Sequence, residues 1–305
     1  MAATNLQMNV ALSDYAFGVA QDEAKILELA NLLAPPVVTG AKHVNYAVFN
    51  ADNAYQAVNA TRGLSSKATR ILFGASNAKV DLTTKGLEIP LDDQEAEDAG
   101  TDAASTALQQ SKVLTLVRTA YLSHLSEVVT VAQAGVTAVA GVGNWSSANV
   151  DPIAEIDKQL IAIARFRTPT SMFMDVQAWN LAKNNPNVTK RFIAAGFTLD
   201  MFAGQLVVPN LKIVLTSISF NTLGFGNAAQ TKTAALGTEC WITCNSPSPT
   251  LYDPSFMKTF AVSKELFGGV KEYRDDSVRS QIYSLDWHAV PAIVASNLVR
   301  RISVS

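Results

Sequence analysis

Apolar residues recur at intervals of three and four between Asp92 and about Gln133, and this spacing predicts one long helix. At 1.5 Å per residue the helix would be about 60 Å long, roughly twice the width of a small domain. Gly100 is a candidate interruption near its start, and the β-branched residues 128–131 favour an extended end. The seam that should pack against the rest of the protein consists of Leu114, Val117, Tyr121, Leu125 and Val128.

Strand patterns precede this helix. His43 to Phe49 alternates between apolar and other residues and should be a strand with one buried face. Between Arg70 and Pro90, apolar residues on both sides of a turn-like segment at 74–77 predict a long β-hairpin. Because a two-stranded ribbon is only marginally stable in water, it should lie on its own domain or on another subunit. We favour another subunit, which predicts intersubunit contacts by Ile71, Phe73, Val80 and Leu82.

The later part of the chain predicts a second, α/β unit. Asp151 and Pro152 match the N-cap and first residue of a helix, and helices and strands alternate from there to about Ala195. Further strands are predicted at Val207 to Leu215 and Cys240 to Cys244. We interpret the uncharged, glycine-containing stretch from Val128 to Val150 as buried strand and turn. Extended segments within residues 270–299 should return to the sheet beside the long helix, so that the chain leaves one unit, builds another and comes back.

Composition adds one constraint. Apolar residues make up 48% of the chain and charged residues only 16%, against about 25% in ordinary soluble domains. Extensive contact between subunits explains such a surface, because no strongly apolar stretch of about 18 residues predicts a membrane span. No secretory signal pattern is visible. The 24 basic and 26 acidic residues are spread along the chain, so no nucleic-acid-binding face is predicted.

Candidate chemistry is sparse. His43, His124 and His288 are far apart in sequence, and Cys240 and Cys244 should be reduced, buried thiols. Phosphate-loop, nucleophile-elbow and zinc-protease patterns are absent from the sequence. We therefore predict no catalytic, cofactor-binding or metal-binding residue. A helix N-terminus, which favours negative charge, explains the carboxylate cluster without a metal; it comprises Asp92, Asp93, Glu95, Glu97 and Asp98.

A succession of short segments is more informative than any one of them. Tyr46-Ala-Val-Phe49 precedes the predicted hairpin, and Gly86-Leu-Glu-Ile-Pro-Leu-Asp-Asp93 leads into the long helix. Downstream follow Asn144-Trp-Ser146, Asp151-Pro-Ile153, Trp179-Asn-Leu181 and Asn185-Pro-Asn-Val188. Together they resemble, over nearly the whole chain, the major capsid protein of tailed bacteriophages with the Hong Kong 97 type fold. One turn departs from the family, which often has Arg-Pro-Asn where this chain has Arg167 to Thr170.

The resemblance implies an α+β fold of four parts. These are an N-terminal arm at residues 1–34, an extended β-hairpin loop at 51–90, a peripheral domain with the long helix at 35–50, 91–150 and 266–305, and an α/β axial domain at 151–265. The residues themselves leave open whether the N-terminal segment reaches a neighbour or is a frayed end with one docked helix.

The implied function is that of a shell subunit. Hexamers and pentamers would self-assemble into an icosahedral capsid that encloses the double-stranded DNA genome of a tailed phage. Implied partners are a portal protein, scaffolding or decoration proteins, and packaged DNA met by non-specific proximity, with no membrane. The implied location is the virion capsid, after assembly in the host cytoplasm. Two alternatives remain open at this point, an encapsulin-like nanocompartment shell and an α/β enzyme with an unrecognised site.

Overall fold

The computed structural model describes residues 7–8, 12, 24–49, 59–64, 67–69, 75–192, 198–208, 211–221, 232–263 and 266–305. The helices are α1 (Ala24–Leu33), α2 (Asp93–Asp98), α3 (Asp102–Gly135), α4 (Pro152–Ala164), α5 (Val176–Asn184), α6 (Pro186–Arg191) and α7 (Leu199–Ala203). The first strands are β1 (Gln7–Met8), β2 (Pro36–Val38), β3 (His43–Phe49), β4 (Ala75–Asp81), β5 (Thr84–Asp92), β6 (Ser171–Asp175) and β7 (Lys212–Thr216). The later strands are β8 (Ser219–Phe220), β9 (Thr233–Ala234), β10 (Glu239–Thr243), β11 (Met257–Ala261), β12 (Lys271–Asp275), β13 (Ser280–Ile293) and β14 (Val299–Ser303).

A six-stranded sheet supports the long helix α3. Its order is β1-β12-β13-β11-β2, and β5 also pairs with β13. The β5 pairing is antiparallel and runs from Asp92 opposite Ser280 to Thr84 opposite His288. α3 packs on β13, β5 and α1. At its end Gly135 lies close to the sheet, and a Cβ added there would lie 2.2 Å from Ile293 Cδ1, so the end of that side chain would have to move.

The predicted single helix is two helices. α2 ends at Asp98, and Gly100 has a φ of 73°, a backbone conformation that favours glycine. Thr101 then begins α3, because its hydroxyl oxygen accepts a hydrogen bond from the backbone N–H of Ala104. With 34 residues α3 is about 51 Å long. The predicted extended end is wrong, since residues 128–131 are helical and their packing on the sheet outweighs their weak helix propensity.

The buried face of α3 overlaps the predicted seam. Val117, Tyr121, Leu125 and Val128 are buried, whereas Leu114 is only half-buried. The face is wider than one residue per turn, since it needs neighbouring positions to cover the sheet and α1 together. Its full set is Val113, Leu116, Val117, Ala120, Tyr121, His124, Leu125, Val128, Val129 and Ala132.

A four-stranded sheet, in the order β14-β10-β6-β7, forms the centre of the α/β unit. Every residue of β6 and β10 is buried, as expected of strands covered on both faces. The predicted start of α4 is confirmed, because the Asp151 carboxylate accepts from the backbone N–H of Ile153 at 3.1 Å and Pro152 is the first helical residue. One continuous buried core includes residues of α1, α3 and this sheet.

The predicted division into units is wrong at two strands. β14 was expected beside the long helix but pairs with β10, five residues in register from Glu239 opposite Ser303. β11 was expected in the α/β unit but pairs with β13 and β2 in the six-stranded sheet. Residues 136–150 contain no strand, contrary to prediction. Each sheet is therefore built from segments far apart in sequence, and the chain crosses between the two units more than once.

The predicted hairpin within residues 70–90 is also wrong. β4 begins at Ala75, inside the predicted turn, and pairs antiparallel with β3 from His43 opposite Asp81 to Phe49 opposite Ala75. β5, expected as part of the projecting loop, lies in the six-stranded sheet instead. The projecting element is thus a β3–β4 ribbon. Of the predicted contact residues, Ile71 and Phe73 lie outside the described residues.

Candidate functional site

The base of the β3–β4 ribbon is anchored on its own chain. Val44 and Tyr46 of β3 are buried in a small core with Phe260 of β11 and Val294. The Tyr46 and Phe260 rings are 4.9 Å apart between centroids and tilted by 37°. The backbone N–H of Phe49 donates to the carbonyl of Val294 at 3.0 Å. The described ribbon is therefore fixed to its own chain from Val44 to Phe49.

This anchoring corrects the expected role of two residues. Leu82 is 5% exposed and belongs to the same small core, so its own chain already covers it. Val80 packs partly buried against that core. The premise that a ribbon here lacks neighbours is wrong, because β11 and the residues after β13 supply them. Leu82 therefore needs no second subunit to remove its apolar surface from water, whereas part of Val80 stays accessible.

The described residues of the loop between β3 and β4 are exposed, unlike the buried residues of the ribbon. Residues 59–64 and 67–69 are all exposed. Leu64 is 104% exposed, so none of the described residues covers this large apolar side chain. Arg62 and Lys67 on either side are exposed as well. Sequence periodicity missed Leu64, although a leucine between Gly63 and Ser65 is the kind of isolated apolar residue that a loop presents to a partner.

An aromatic cluster joins α3 to the six-stranded sheet. Tyr121 and Phe267 rings lie 5.0 Å apart, and the Phe267 and Trp287 rings lie 5.3 Å apart. Burial raises the pKa of the Tyr121 hydroxyl. Beside the cluster, Lys85 of β5 forms an ion pair with Glu127 of α3 and donates to the carbonyl of Ala289 at 2.7 Å. These contacts hold the long helix on the sheet from which the ribbon starts.

The carboxylate cluster at the start of α2 is engaged within the chain. Asp92 and Glu95 form a capping box, in which each side chain accepts from a backbone N–H. Asp93 pairs with Arg274 through two hydrogen bonds, which lower the pKa of that carboxyl. Lys112 bonds to Glu95 and lowers its pKa likewise. Within the part of the chain that the structure describes, no group of three or more His, Cys, Asp or Glu residues could hold a metal ion.

The histidines and cysteines do not form a nucleophile and base pair. His43 is exposed and bonds to Asp81 at 2.8 Å, while His124 is fully buried under α3. Cys240 and Cys244 are buried and free, and burial raises the pKa of the Cys244 thiol to about 12, far from a reactive thiolate. The Cys240 thiol pKa is raised for the same reason.

A cleft of about 500 Å³ lies between α1 and the loop after β10. Among the described residues that line it there is no Asp, Glu, His or Cys. Asn245 in its wall is fully engaged in structure, because its amide donates to the carbonyls of Leu32 and Leu33 and its side-chain oxygen accepts from the N–H of Phe256. Lys212, Ser171 and Ser246 also line the cleft, and Lys212 pairs with Glu28 of α1 at 3.2 Å.

α1 docks on α3 and buries Ile26, Leu29 and Leu33. Ahead of it, β1 pairs with β12, with Gln7 opposite Glu272 and Met8 opposite Lys271. These contacts place the described part of the N-terminal segment on its own chain. Across the described ranges, every helix is too short or too polar to cross a lipid bilayer.

No protein-family model and no curated protein sequence matches this chain. Solved structures do match it. A phage-related protein from Bordetella bronchiseptica RB50 is similar over 97% of this chain and 96% of its own, with a TM-score of 0.72 and 22% identity. The capsid of cyanophage P-SCSP1u is similar over 90% and 86%, with a TM-score of 0.55 and 8% identity. The putative capsid protein of an Escherichia coli CFT073 prophage is similar over 98% and 99%, with a TM-score of 0.54 and 9% identity.

These similarities span the six-stranded sheet, the long helix and the α/β unit together, because they cover at least 90% of the chain in each case. The mixed arrangement of helices and sheets is the one those capsid structures share. The chain therefore has the Hong Kong 97 type capsid fold.

Proposed function

We propose that this protein is the major capsid protein of a tailed phage, assembling as hexamers and pentamers into an icosahedral shell around double-stranded DNA. The observation that carries the proposal, together with the fold, is the ribbon itself. Its base is fixed by Tyr46 and Phe260, while Leu64 beyond it is fully exposed. An apolar side chain that no described residue covers, in the loop that joins two fixed strands, is suited to contact with a second copy of the same chain.

The ribbon loop is accordingly the proposed intersubunit contact. Leu64, Ile71 and Phe73 are its proposed apolar contacts, and Arg62 and Lys67 are charges that would lie at the rim of the interface. α3 supplies the rigid support, since Val117, Tyr121, Leu125 and Val128 attach it to the sheet that carries the ribbon. Residues 1–34 are a proposed N-terminal arm, and the described residues of this arm contact their own chain.

The proposed role needs no catalytic group or cofactor, in keeping with the engaged carboxylates and the buried, high-pKa thiols. Proposed partners besides further copies are a portal protein, a scaffolding or decoration protein and the packaged DNA. Assembly would take place in the host cytoplasm and end in the virion capsid.

The test is assembly of the purified chain. Sedimentation and negative-stain electron microscopy should show capsomers or closed shells, alone or with a scaffolding protein. A dispersed 32.6 kDa monomer at every protein and salt concentration, with and without that protein, would contradict the proposal. Shells isolated from cells with a protein cargo and no DNA would favour the nanocompartment alternative instead.

A further inference from the structure

Arg301 lies where the long helix meets the four-stranded sheet. It belongs to β14, opposite Trp241 of β10. Its guanidinium bonds to both carboxylate oxygens of Glu239, with Nε at 2.9 Å and Nη2 at 2.5 Å. The side chain of Arg301 is 19% exposed and that of Glu239 is 9% exposed, so water screens this pair little.

The same guanidinium reaches the end of α3. Nη1 donates to the carbonyl of Gln133 at 3.3 Å and to that of Val136 at 3.1 Å. These are carbonyls at the C-terminal end of a helix, where backbone acceptors lack helical partners and a positive charge is favoured. The Arg301 carbonyl also accepts from the N–H of Val139 at 2.8 Å, so main chain and side chain hold the segment that leaves the helix.

Trp241 fixes the orientation of this group. The Arg301 guanidinium carbon lies 5.4 Å from the centroid of the Trp241 ring, within cation–π range. The Trp241 Nε1–H donates to Glu239 Oε2 at 2.8 Å, which holds the carboxylate that Arg301 binds. Three residues of the four-stranded sheet thus act together on the last turn of the helix.

We propose that Arg301 is the joint that sets the angle between α3 and the four-stranded sheet. Its planar guanidinium donates to a carboxylate on one side and to two carbonyls on the other, which a lysine ammonium cannot reproduce with the same directions. If this protein forms the proposed shell, the joint has a further role. α3 lies on the sheet that carries the ribbon, so a change in the angle would re-aim the ribbon and alter the curvature of the shell.

The joint can be tested on the unassembled subunit. Spin labels at Ser123→Cys in α3 and Lys183→Cys in α5 would report the distance between the two units, because both positions are exposed and the native cysteines are buried. The Arg301→Lys variant should widen the measured distance distribution about twofold, as expected when a hinge is released. Arg300→Lys is the matched control, since it changes the adjacent residue of β14, which faces the other side of the sheet.

An unchanged distance distribution in Arg301→Lys would show that Arg301 does not set the angle between α3 and the four-stranded sheet. If that variant fails to fold, Glu239→Gln decides by the same criterion, because it keeps the helix carbonyl contacts and removes the charge that positions the guanidinium.

Shell diameter, measured by electron microscopy, tests the consequence for curvature. Arg301→Lys should give shells of altered or mixed diameter, and Arg300→Lys should give wild-type shells. A uniform wild-type diameter in Arg301→Lys would overturn the curvature role. If the wild-type chain forms no shell at all, the proposed function fails, whereas the distance distributions still decide whether Arg301 is the joint.

Discussion

His124 is a titratable residue in a site that does not stabilise its charged form. It is fully buried under α3, and neither ring nitrogen has a hydrogen-bond partner within the described residues. Its ring meets Phe267 edge to face, with centroids 6.1 Å apart. Burial, helped by the nearby charge of Lys85, lowers the pKa of His124 to about 4. Folding therefore requires the neutral imidazole.

This arrangement predicts acid-sensitive stability. Between pH 6.5 and about 4 the unfolded chain binds a proton at His124 and the folded chain does not. The free energy of unfolding therefore decreases as the pH is lowered from 6.5 to about 4, and it levels off at lower pH. A pKa lowered by this much corresponds to roughly 3 kcal/mol of unfolding free energy. Denaturant titrations of wild type and His124→Leu at several pH values measure the effect, and the variant should lose that part of the slope.

Leu125→Ala provides the control for this experiment. It leaves a cavity on the same buried face of α3 without changing a titratable group, so it should lower stability and keep the wild-type acid dependence. Equal slopes for wild type and His124→Leu would show that His124 does not contribute to the acid sensitivity.

Lys258 is equally buried but fully satisfied. Its ammonium donates to the carbonyls of Thr250 at 2.6 Å and Asp253 at 2.7 Å, and lies 3.0 Å from the Asp253 carboxylate. Lys258→Met should cost about 3 kcal/mol in unfolding free energy, because it leaves a partly buried carboxylate and two carbonyls without their donor. Lys271→Met is the matched control, since it breaks a more exposed pair with Asp286 and should cost less than about 1 kcal/mol. Similar losses in thermal or denaturant unfolding would contradict this difference.

At the scale of the element, α3 provides an internal comparison of two leucines. Leu125 is completely buried, and Leu114 is half-buried on the same helix. Leu125→Ala should cost about 2 to 5 kcal/mol because it leaves a cavity against the sheet. Leu114→Ala should cost about 1 kcal/mol or less, since its site can fill with water. Urea denaturation measures both, and a reversed order would mean that the buried face of α3 is misassigned.

Local sequence patterns predicted the positions of helices and strands better than they predicted which strands pair with each other. The start of α4 follows from Asp151 and Pro152, whose capping preferences act within one helical turn. The partner of β4 could not be read in this way, because alternation gives a strand its faces and says nothing about which strand it pairs with. Twenty-five residues separate the end of β3 from the start of β4, and their sequence carries no turn signal that fixes the register of the pair.

The same limit applies to the joint and to the ribbon contact. The helix carbonyls that Arg301 binds lie 165 or more residues away in the sequence, so no local pattern could predict these contacts. Leu64 is important because of its complete exposure, and exposure depends on the arrangement of the whole chain. The resemblance of short segments to a capsid family predicted the fold that these pairings produce, whereas apolar periodicity alone did not.

For the whole molecule, folding and assembly should be separable at the ribbon loop. Residues 59–64 and 67–69 are exposed and add little to the core, whereas the ribbon base is buried against Phe260 and Val294. Replacing residues 59–69 with a short Gly-Ser turn should therefore leave the thermal unfolding temperature nearly unchanged. Shell formation should fail, because closure repeats one weakened contact over many copies.

Point variants make this separation sharper. Leu64→Ser removes only the uncovered side chain at the loop and should slow or abolish shell formation. Val207→Ser removes another exposed apolar side chain, 50% exposed and located in the α/β unit, and should not. Light scattering follows assembly, and calorimetry follows the fold of each variant. Closed shells of normal size from the shortened chain, or loss of the fold itself, would mean that subunits are joined elsewhere. Since no described residue covers Leu64, we propose a second copy of the chain as its partner, and failed assembly of Leu64→Ser with an intact fold is the result that this proposal expects.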